Sequence, residues 1–392
     1  MVNTDAQRIE EILTRGVEEI FVRENLKKDL FSGRRLTVKL GIDPTSPDLH
    51  IGRAVVLWKL RSFQELGHDA VFIVGDFTGL IGDTSDKEAE RLMLSETEVK
   101  KNLKTYFAQA FKILDKNKTK TYYNSSWLKK LGFKEIGEMA GLFGLHEFEA
   151  RENISKRLKE GKRVSLKELL YPIMQGYDSV SVKADIELGG TDQKFNLLAG
   201  RTIQKHYKQV PQNIVITGLL EGTDGRKMSS SWGNVINITD DPNNMFGKVM
   251  SLPDSLIEKY FLLCTRISQD EIKKILEKNK NPRDSKIRLA HEITNLYHGT
   301  KLADDAKENF ISVFQKKNAP KDVIEISINN KDVAMVLIEK GIILSKTELR
   351  RLLQQGAVTH IETDNNLVDL NYLAKNKGTY KIGSRRFIKI VD

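Results

Sequence analysis

From Leu36 to about Leu220 the chain alternates short apolar runs with amphipathic stretches, and this alternation limits the folds open to it. The runs Leu36 to Ile42, Ala70 to Gly75, Asp185 to Leu188 and Ile214 to Leu219 have strand length. Between the first two, Ala54, Leu57, Leu60, Phe63 and Leu66 recur at helical spacing, predicting a helix from about Ile51 to a stop at Gly67. Strands separated by such helices form a parallel sheet covered on its faces, so the expected fold class is α/β with a Rossmann-like catalytic domain over 1–220. The stretch 99–168 reads as a mostly helical insertion. Its apolar residues Met139, Leu142, Phe143, Leu145 and Phe148 are expected in a core or at a subunit interface. From Pro242 to Phe314 the periodicity is helical, giving an α-helical domain within 221–320, and a small α/β unit is expected over 323–392 after a polar linker.

With 392 residues the chain can fold into two or three compact units. Its longest apolar runs are too short to cross a bilayer, and Asp5, Glu10 and Glu11 interrupt any signal-peptide core, so no membrane association is expected. Cys264 is the only cysteine, which excludes an intramolecular disulfide and a cysteine-based metal cluster and fits a reducing cytoplasm. The formal net charge of +10 fits a polyanionic partner. Lys375, Lys377, Lys381, Arg385, Arg386 and Lys389 crowd the last stretch, and Lys156, Arg157, Lys159, Lys162 and Arg163 form a second basic run.

Two constellations carry chemistry. Gly41-Ile42-Asp43-Pro44-Thr45 leads through Ser46-Pro47-Asp48 to Leu49-His50-Ile51-Gly52-Arg53, at the carboxyl edge of a predicted strand where open α/β sheets bind ligands. Gly41 and Gly52 leave room for a ligand to approach the backbone, and His50 can donate to a phosphate at the positive end of the following helix. Taken singly, Asp43-Pro44 also reads as turn chemistry and His50 as an ordinary satisfied histidine. Lys227-Met228-Ser229-Ser230-Ser231, flanked by Gly222 to Arg226, places a cation and hydroxyls on a glycine-flanked loop suited to a departing pyrophosphate. Tyr171, Gln175 and Asp178 fall at i, i+4 and i+7, one face of a helix whose neighbours Leu169, Leu170, Ile173 and Met174 are apolar.

Together with Thr78-Gly79-Leu80-Ile81-Gly82-Asp83, Tyr171-Pro172-Ile173-Met174-Gln175-Gly176-Tyr177-Asp178 and Gly189-Gly190-Thr191-Asp192-Gln193, these motifs occur in the order seen in bacterial tyrosyl-tRNA synthetases, and the chain resembles that class I family end to end. The resemblance implies a ligase that activates L-tyrosine with ATP to tyrosyl-adenylate and passes it to tRNA(Tyr). ATP, with the Mg2+ it carries, enters as substrate, no protein metal site is implied, and the enzyme is a homodimer using the Met139 to Phe148 region. Carried over residue by residue, Asp83, Tyr171 and Gln175 hold the substrate ammonium, Asp178 accepts the phenolic hydrogen bond, and Gln193 contacts the substrate backbone. Gly41, Asp43, Thr45, His50 and Gly52 line the ATP side with Gly190, Asp192, Lys227, Met228, Ser229 and Ser230. His50, Thr45 and Lys227 stabilise charge moving onto pyrophosphate, assisted by Arg226, Lys87 or Arg91.

Three positions depart from the family pattern: Arg53 replaces a second histidine, Lys39 stands where many relatives have tyrosine, and Ser230 replaces a second loop lysine. The segment Ser345 to Val358 resembles an S4-type RNA-binding module, with Lys346, Arg350 and Arg351 on the side offered to RNA and Leu349, Leu352 and Leu353 facing a core. The rival readings are a tryptophan-specific relative, an idle RNA-binding relative of the same fold, and a generic nucleotidyltransferase.

Overall fold

The computed structural model describes residues 2–83, 95–279, 281–315, 323–327, 332–361, 363, 365–367, 377–383 and 386–391. The chain divides into two compact units, Met1–Tyr297 and His298–Asp392.

The first unit is built on a six-stranded sheet of β1 (Val17–Phe21), β2 (Thr37–Ile42), β3 (Asp69–Val74), β4 (Thr119–Tyr123), β5 (Ile186–Gly190) and β6 (Asn213–Thr217). Their spatial order is β1-β6-β5-β2-β3-β4; β1 runs antiparallel to β6 and the other neighbours are parallel. The first parallel strand, β2, is central and the chain winds outward from it in both directions, so the winding reverses between β2 and β5. At such a switch point the crossover helices leave to opposite sides and a crevice opens beyond the strand ends. Register accentuates it. β2 pairs with β3 from Thr37↔Asp69 to Ile42↔Val74, whereas its pairing with β5 covers Val38↔Ile186 and Lys39↔Glu187.

The four strands read from the sequence are present within one or two residues, because β2, β3, β5 and β6 are largely buried and most of their side chains are apolar. β1 and β4 are additional. Both are edge strands with mostly half-exposed or exposed residues, and their polar Glu18, Glu19, Thr119 and Lys120 dilute the apolar signal. β4 adds one strand to the stretch 99–168, which is otherwise mostly helical as expected, with helices at Glu96–Ala110, Ser125–Leu128, Phe133–Ala140, Leu145–Glu149 and Glu152–Lys159. Met139 and Phe148 of that region are buried within the chain, while Leu145 is 62% exposed.

The helix Ile51–Glu65 joins β2 to β3. It begins where the His50 side chain accepts from Arg53 N–H and buries Ala54, Leu57, Leu60 and Phe63 on one face. Each large apolar side chain so buried contributes about 1.5–3 kcal/mol. Gly67, at φ +94°, turns the chain into β3. A second long helix, Leu166–Val182, opens with Glu168 reaching back to Ser165 N–H at 3.0 Å. Glu168 is itself buried against Arg157 at 2.5 Å, which fastens the insertion to this helix. Helices Pro242–Met250, Ile257–Cys264, Gln269–Lys278 and Pro282–His298 follow the sheet. No helix among the described residues is long and apolar enough to cross a membrane.

The second unit contains helix Thr300–Gln315 and a five-stranded sheet ordered β7-β11-β10-β8-β9, from Ile324–Ile326, Arg386–Ile390, Gly378–Ile382, Val358–His360 and Asn365–Asn366. Helices Val333–Glu339 and Lys346–Gln354 pack Leu337, Leu349 and Leu353 with Tyr380, Ile382 and Ile388 in one core.

Candidate active site

Past the last β2–β5 pair the strands part around a cavity of about 1080 Å³, lined from the ends of β2 and β5, the start of helix Ile51–Glu65, one face of helix Leu166–Val182 and the loop around Lys227. Of the predicted small-molecule residues that the structure describes, all but Arg226 line it: Gly41, Asp43, Thr45, His50, Gly52, Asp83, Tyr171, Gln175, Asp178, Gly190, Asp192, Gln193, Lys227, Met228, Ser229 and Ser230. Lys87 and Arg91 lie outside the described residues. Lys346, Arg350 and Arg351 belong to the second unit, all three exposed, with Lys346 2.6 Å from Asp332.

His50 caps its helix through Nδ1, which accepts from Arg53 N–H at 3.3 Å. Burial, reinforced by the positive charges of Arg53 and Lys227, pushes its pKa down to about 3. The ring is therefore neutral near pH 7. Because Nδ1 is the acceptor, its proton resides on Nε2, where it can be donated to an oxygen. Gly52 makes this packing possible: a Cβ there would lie 3.0 Å from His50 Nδ1 and 3.3 Å from Met228 Sδ. Gly75, which closes β3, has a similar function, since a Cβ would lie 2.0 Å from Asp43 Oδ1.

Arg53 does not replace the missing histidine as a free side chain. Its guanidinium donates to Thr45 Oγ1 at 2.6 Å, to the Asp43 carbonyl at 3.2 Å and to the Tyr106 hydroxyl, bracing the loop that carries Thr45. The Asp43 carboxylate is more than turn chemistry, because Oδ1 accepts from Thr78 Oγ1 at 2.7 Å and Oδ2 from Tyr171 Oη at 2.9 Å. Gln193 Nε2 donates to Asp83 Oδ2 at 2.7 Å.

Asp178 is almost fully buried. Trp127 Nε1 donates to Oδ1 at 2.7 Å and Asn124 Nδ2 to Oδ2 at 3.3 Å. Burial outweighs the opposing pull of Lys39 and the two donors, and the pKa is pushed up to about 7. Asn124 also donates to Thr78 Oγ1 at 2.9 Å, so one polar chain runs Tyr171–Asp43–Thr78–Asn124–Asp178. Sequence reasoning missed Thr78, Asn124 and Trp127 as partners of these residues. The usable signal was the strand-like Thr119-Lys120-Thr121-Tyr122-Tyr123, which brings Asn124 to the carboxyl end of β4.

On the opposing loop, Lys227 Nζ lies 3.1 Å from Asp192 Oδ2. Asn234 shapes this loop, accepting from Ser229 N–H at 2.9 Å and donating to the Lys227 carbonyl at 3.1 Å. Arg226 pairs with Asp224 at 2.5 Å and its guanidinium covers the Trp232 ring at 4.8 Å. It is not among the cavity's lining residues, so the expected phosphate assistance from Arg226 has no support in this geometry.

Residues 32–315 match the family described as tRNA synthetases class I (W and Y). The chain is 46% identical over 400 residues to the tyrosine–tRNA ligase of Carboxydothermus hydrogenoformans, covering 97% of each chain. It is 45% identical over 388 residues to that of Thermotoga maritima, covering 97% of this chain and 96% of that one. Among solved structures, a C-terminally truncated mitochondrial tyrosyl-tRNA synthetase from Coccidioides posadasii superposes with a TM-score of 0.64 at 25% identity, over 77% of this chain and 91% of its own. The synthetase from Archaeoglobus fulgidus complexed with L-tyrosine shares the fold, with a TM-score of 0.61 at 20% identity, over 77% of this chain and 100% of its own.

Proposed function

The chain belongs to the tyrosyl-tRNA synthetases of class I, enzymes that activate tyrosine with ATP and transfer it to tRNA(Tyr), and from that premise we propose how its residues divide the work. The observation that carries the proposal is the convergence on one cavity of a buried hydroxyl acceptor, a carboxylate-lined ammonium site, a neutral histidine at a helix start and a lysine-bearing loop.

Tyrosine lies with its ammonium among Asp83, Tyr171 and Gln175 and its hydroxyl donating to Asp178. Gln193 orients the substrate backbone, and Asp43 fixes the Tyr171 hydroxyl rather than touching ATP through its carboxylate. A tyrosine carboxylate oxygen attacks the α-phosphorus of Mg-ATP and the bond to the bridging oxygen breaks, giving tyrosyl-adenylate and pyrophosphate. No protein base is required, because the nucleophile is already an anion; the work is positioning and charge stabilisation. His50 Nε2–H and Thr45 Oγ1 donate to phosphate oxygens, and Lys227 exchanges its contact with Asp192 for the departing pyrophosphate. Asp192, so released, takes the ribose hydroxyls, while Gly41, Gly52 and Gly190 admit the nucleotide close to the backbone. A terminal ribose hydroxyl of the tRNA then attacks the activated carbonyl and AMP leaves.

The second unit, an α/β module with Lys346, Arg350 and Arg351 exposed along one helix, is S4-like in this proposal and holds tRNA phosphates. A homodimer is part of the same reading, supported by Phe133 at 92%, Leu166 at 79% and Leu145 at 62% exposure on the insertion and its neighbouring helix. A cytoplasmic place of action is part of the same proposal. The test is exchange of labelled pyrophosphate into ATP with tyrosine, phenylalanine or tryptophan. Exchange led by tyrosine, with phenylalanine and tryptophan far slower, is expected; exchange led by either of those, or none, overturns the proposal.

A further inference from the structure

Directly beneath the tyrosine end of the cavity lies a charge pair that the reaction scheme leaves unused. Lys39 and Glu187 are register partners on β2 and β5, neither more than 1% exposed, with Nζ 2.8 Å from Oε1. Lys39 Nζ also donates to the Gln175 carbonyl at 2.9 Å and to Ser179 Oγ at 2.8 Å. Glu187 Oε1 accepts from Gln175 Nε2 at 3.1 Å, and Oε2 accepts from Ser179 Oγ at 3.0 Å and from Gln212 Nε2. Three donor directions and both carboxylate oxygens are thus engaged. A buried pair of this kind is a poor source of stability, since apolar residues of similar volume commonly serve the fold as well.

Its position supplies another reason for it. The pair packs behind Gln175 and Asp178 without lining the cavity itself. The groups that face Asp178 are Lys39 from β2, Glu187 from β5, the Trp127 and Asn124 donors from the segment after β4, and the Tyr171 hydroxyl on its own helix. Lys39 is the cation among them.

We propose that Lys39, held by Glu187, Ser179 and the Gln175 carbonyl against the helix that carries Asp178, is a positioning residue for tyrosine selection: its buried charge favours the Asp178 carboxylate as acceptor of the phenolic hydrogen bond. The inference rests on the assignment of Asp178 made above. Burial pushes Asp178 up to about 7 and Lys39 is the strongest opposing influence, so loss of Lys39 moves its titration further up; Glu187 acts the other way. An acid raised in this manner is an acceptor anion only above its pKa, so tyrosine selection falls as pH drops through that value.

The experiment is kcat/KM for pyrophosphate exchange with tyrosine and with phenylalanine between pH 6 and 9, together with thermal melts, for the unaltered chain, Lys39→Met, Lys39→Arg, Glu187→Gln and Asp178→Asn. In Lys39→Met the acid limb of the tyrosine profile is expected to move to higher pH, with the tyrosine-to-phenylalanine ratio at pH 7 falling about tenfold or more. In Glu187→Gln the limb moves to lower pH, Lys39→Arg retains the original profile, and phenylalanine kinetics do not follow either shift. A folded Lys39→Met chain whose limb stays in place, or in which tyrosine and phenylalanine decline together, overturns the inference. If Lys39→Met does not fold, Glu187→Gln decides by the same criterion. Retention of full tyrosine preference by Asp178→Asn overturns the Asp178 assignment itself; loss of preference there, with the limb unmoved in Lys39→Met and Glu187→Gln, overturns only the role of Lys39.

Discussion

Replacing Trp127 with phenylalanine keeps an aromatic ring beside Tyr122, 5.7 Å away between centroids, and deletes the indole N–H that reaches Asp178 Oδ1 at 2.7 Å. A hydrogen bond to a buried charged group is worth about 1.5–3 kcal/mol, and only the ionised form of Asp178 gains it fully. At about 1.4 kcal/mol per pH unit, its loss moves the titration of Asp178 up from about 7 by about one to two pH units. The sign follows from the acid: the acceptor carboxylate exists above the pKa, so the raised value removes it at neutral pH. At pH 7.5 roughly three-quarters of the unaltered sites are ionised, falling to between roughly a quarter and a thirtieth in Trp127→Phe. Exchange kinetics should therefore show kcat/KM for tyrosine reduced by about 3- to 25-fold at pH 7.5 and recovered to about half or more of the unaltered value near pH 9, with phenylalanine kinetics unchanged. A loss that is the same at every pH, or that phenylalanine shares, refutes the reasoning, since either result means the indole merely fills space.

Gly52→Ala drives a Cβ against His50 and Met228 and should lower kcat for exchange by on the order of 10- to 100-fold with little change in the KM for tyrosine; stopped-flow adenylate formation measures it. Lys227→Met removes the loop cation and should lower kcat by roughly 100- to 1000-fold while tyrosine binding, followed by equilibrium dialysis, holds. Alanine at Lys346, Arg350 and Arg351 together should raise the KM for tRNA and flatten its salt dependence in a charging assay, with pyrophosphate exchange untouched. Phe133→Asp should shift sedimentation from dimer to monomer, since it sets a charge on a side chain that is 92% exposed in the single chain.

Which of these features the sequence displayed depends on how each residue signals its environment. β2, β3, β5 and β6 were legible because burial filters their side chains to apolar types, and the helix bearing Tyr171, Gln175 and Asp178 was legible because its polar residues share one face amid apolar neighbours. The edge strands β1 and β4 were not, since half of an edge strand meets solvent and tolerates Glu and Lys. With β4 went Asn124 and Trp127, whose approach to Asp178 depends on where that strand ends. Lys39 in a strand reads as a surface residue or as a departure from a tyrosine pattern. Its burial becomes visible only once the β2–β5 register places it opposite Glu187. Likewise Asp43 and Arg53 occupy ATP-side motif positions, yet their side chains brace Tyr171, Thr78 and Thr45, which depends on tertiary contacts that spacing along the chain does not encode.

The most direct measurement is a crystal structure of the full chain with a non-hydrolysable tyrosyl-adenylate analogue. Expected are the phenolic oxygen within about 3 Å of an Asp178 carboxylate oxygen, the ammonium among Asp83, Tyr171 and Gln175, and the phosphate beside His50 Nε2. A phenol ring seated away from Asp178, or an adenylate bound outside this cavity, contradicts the division of roles.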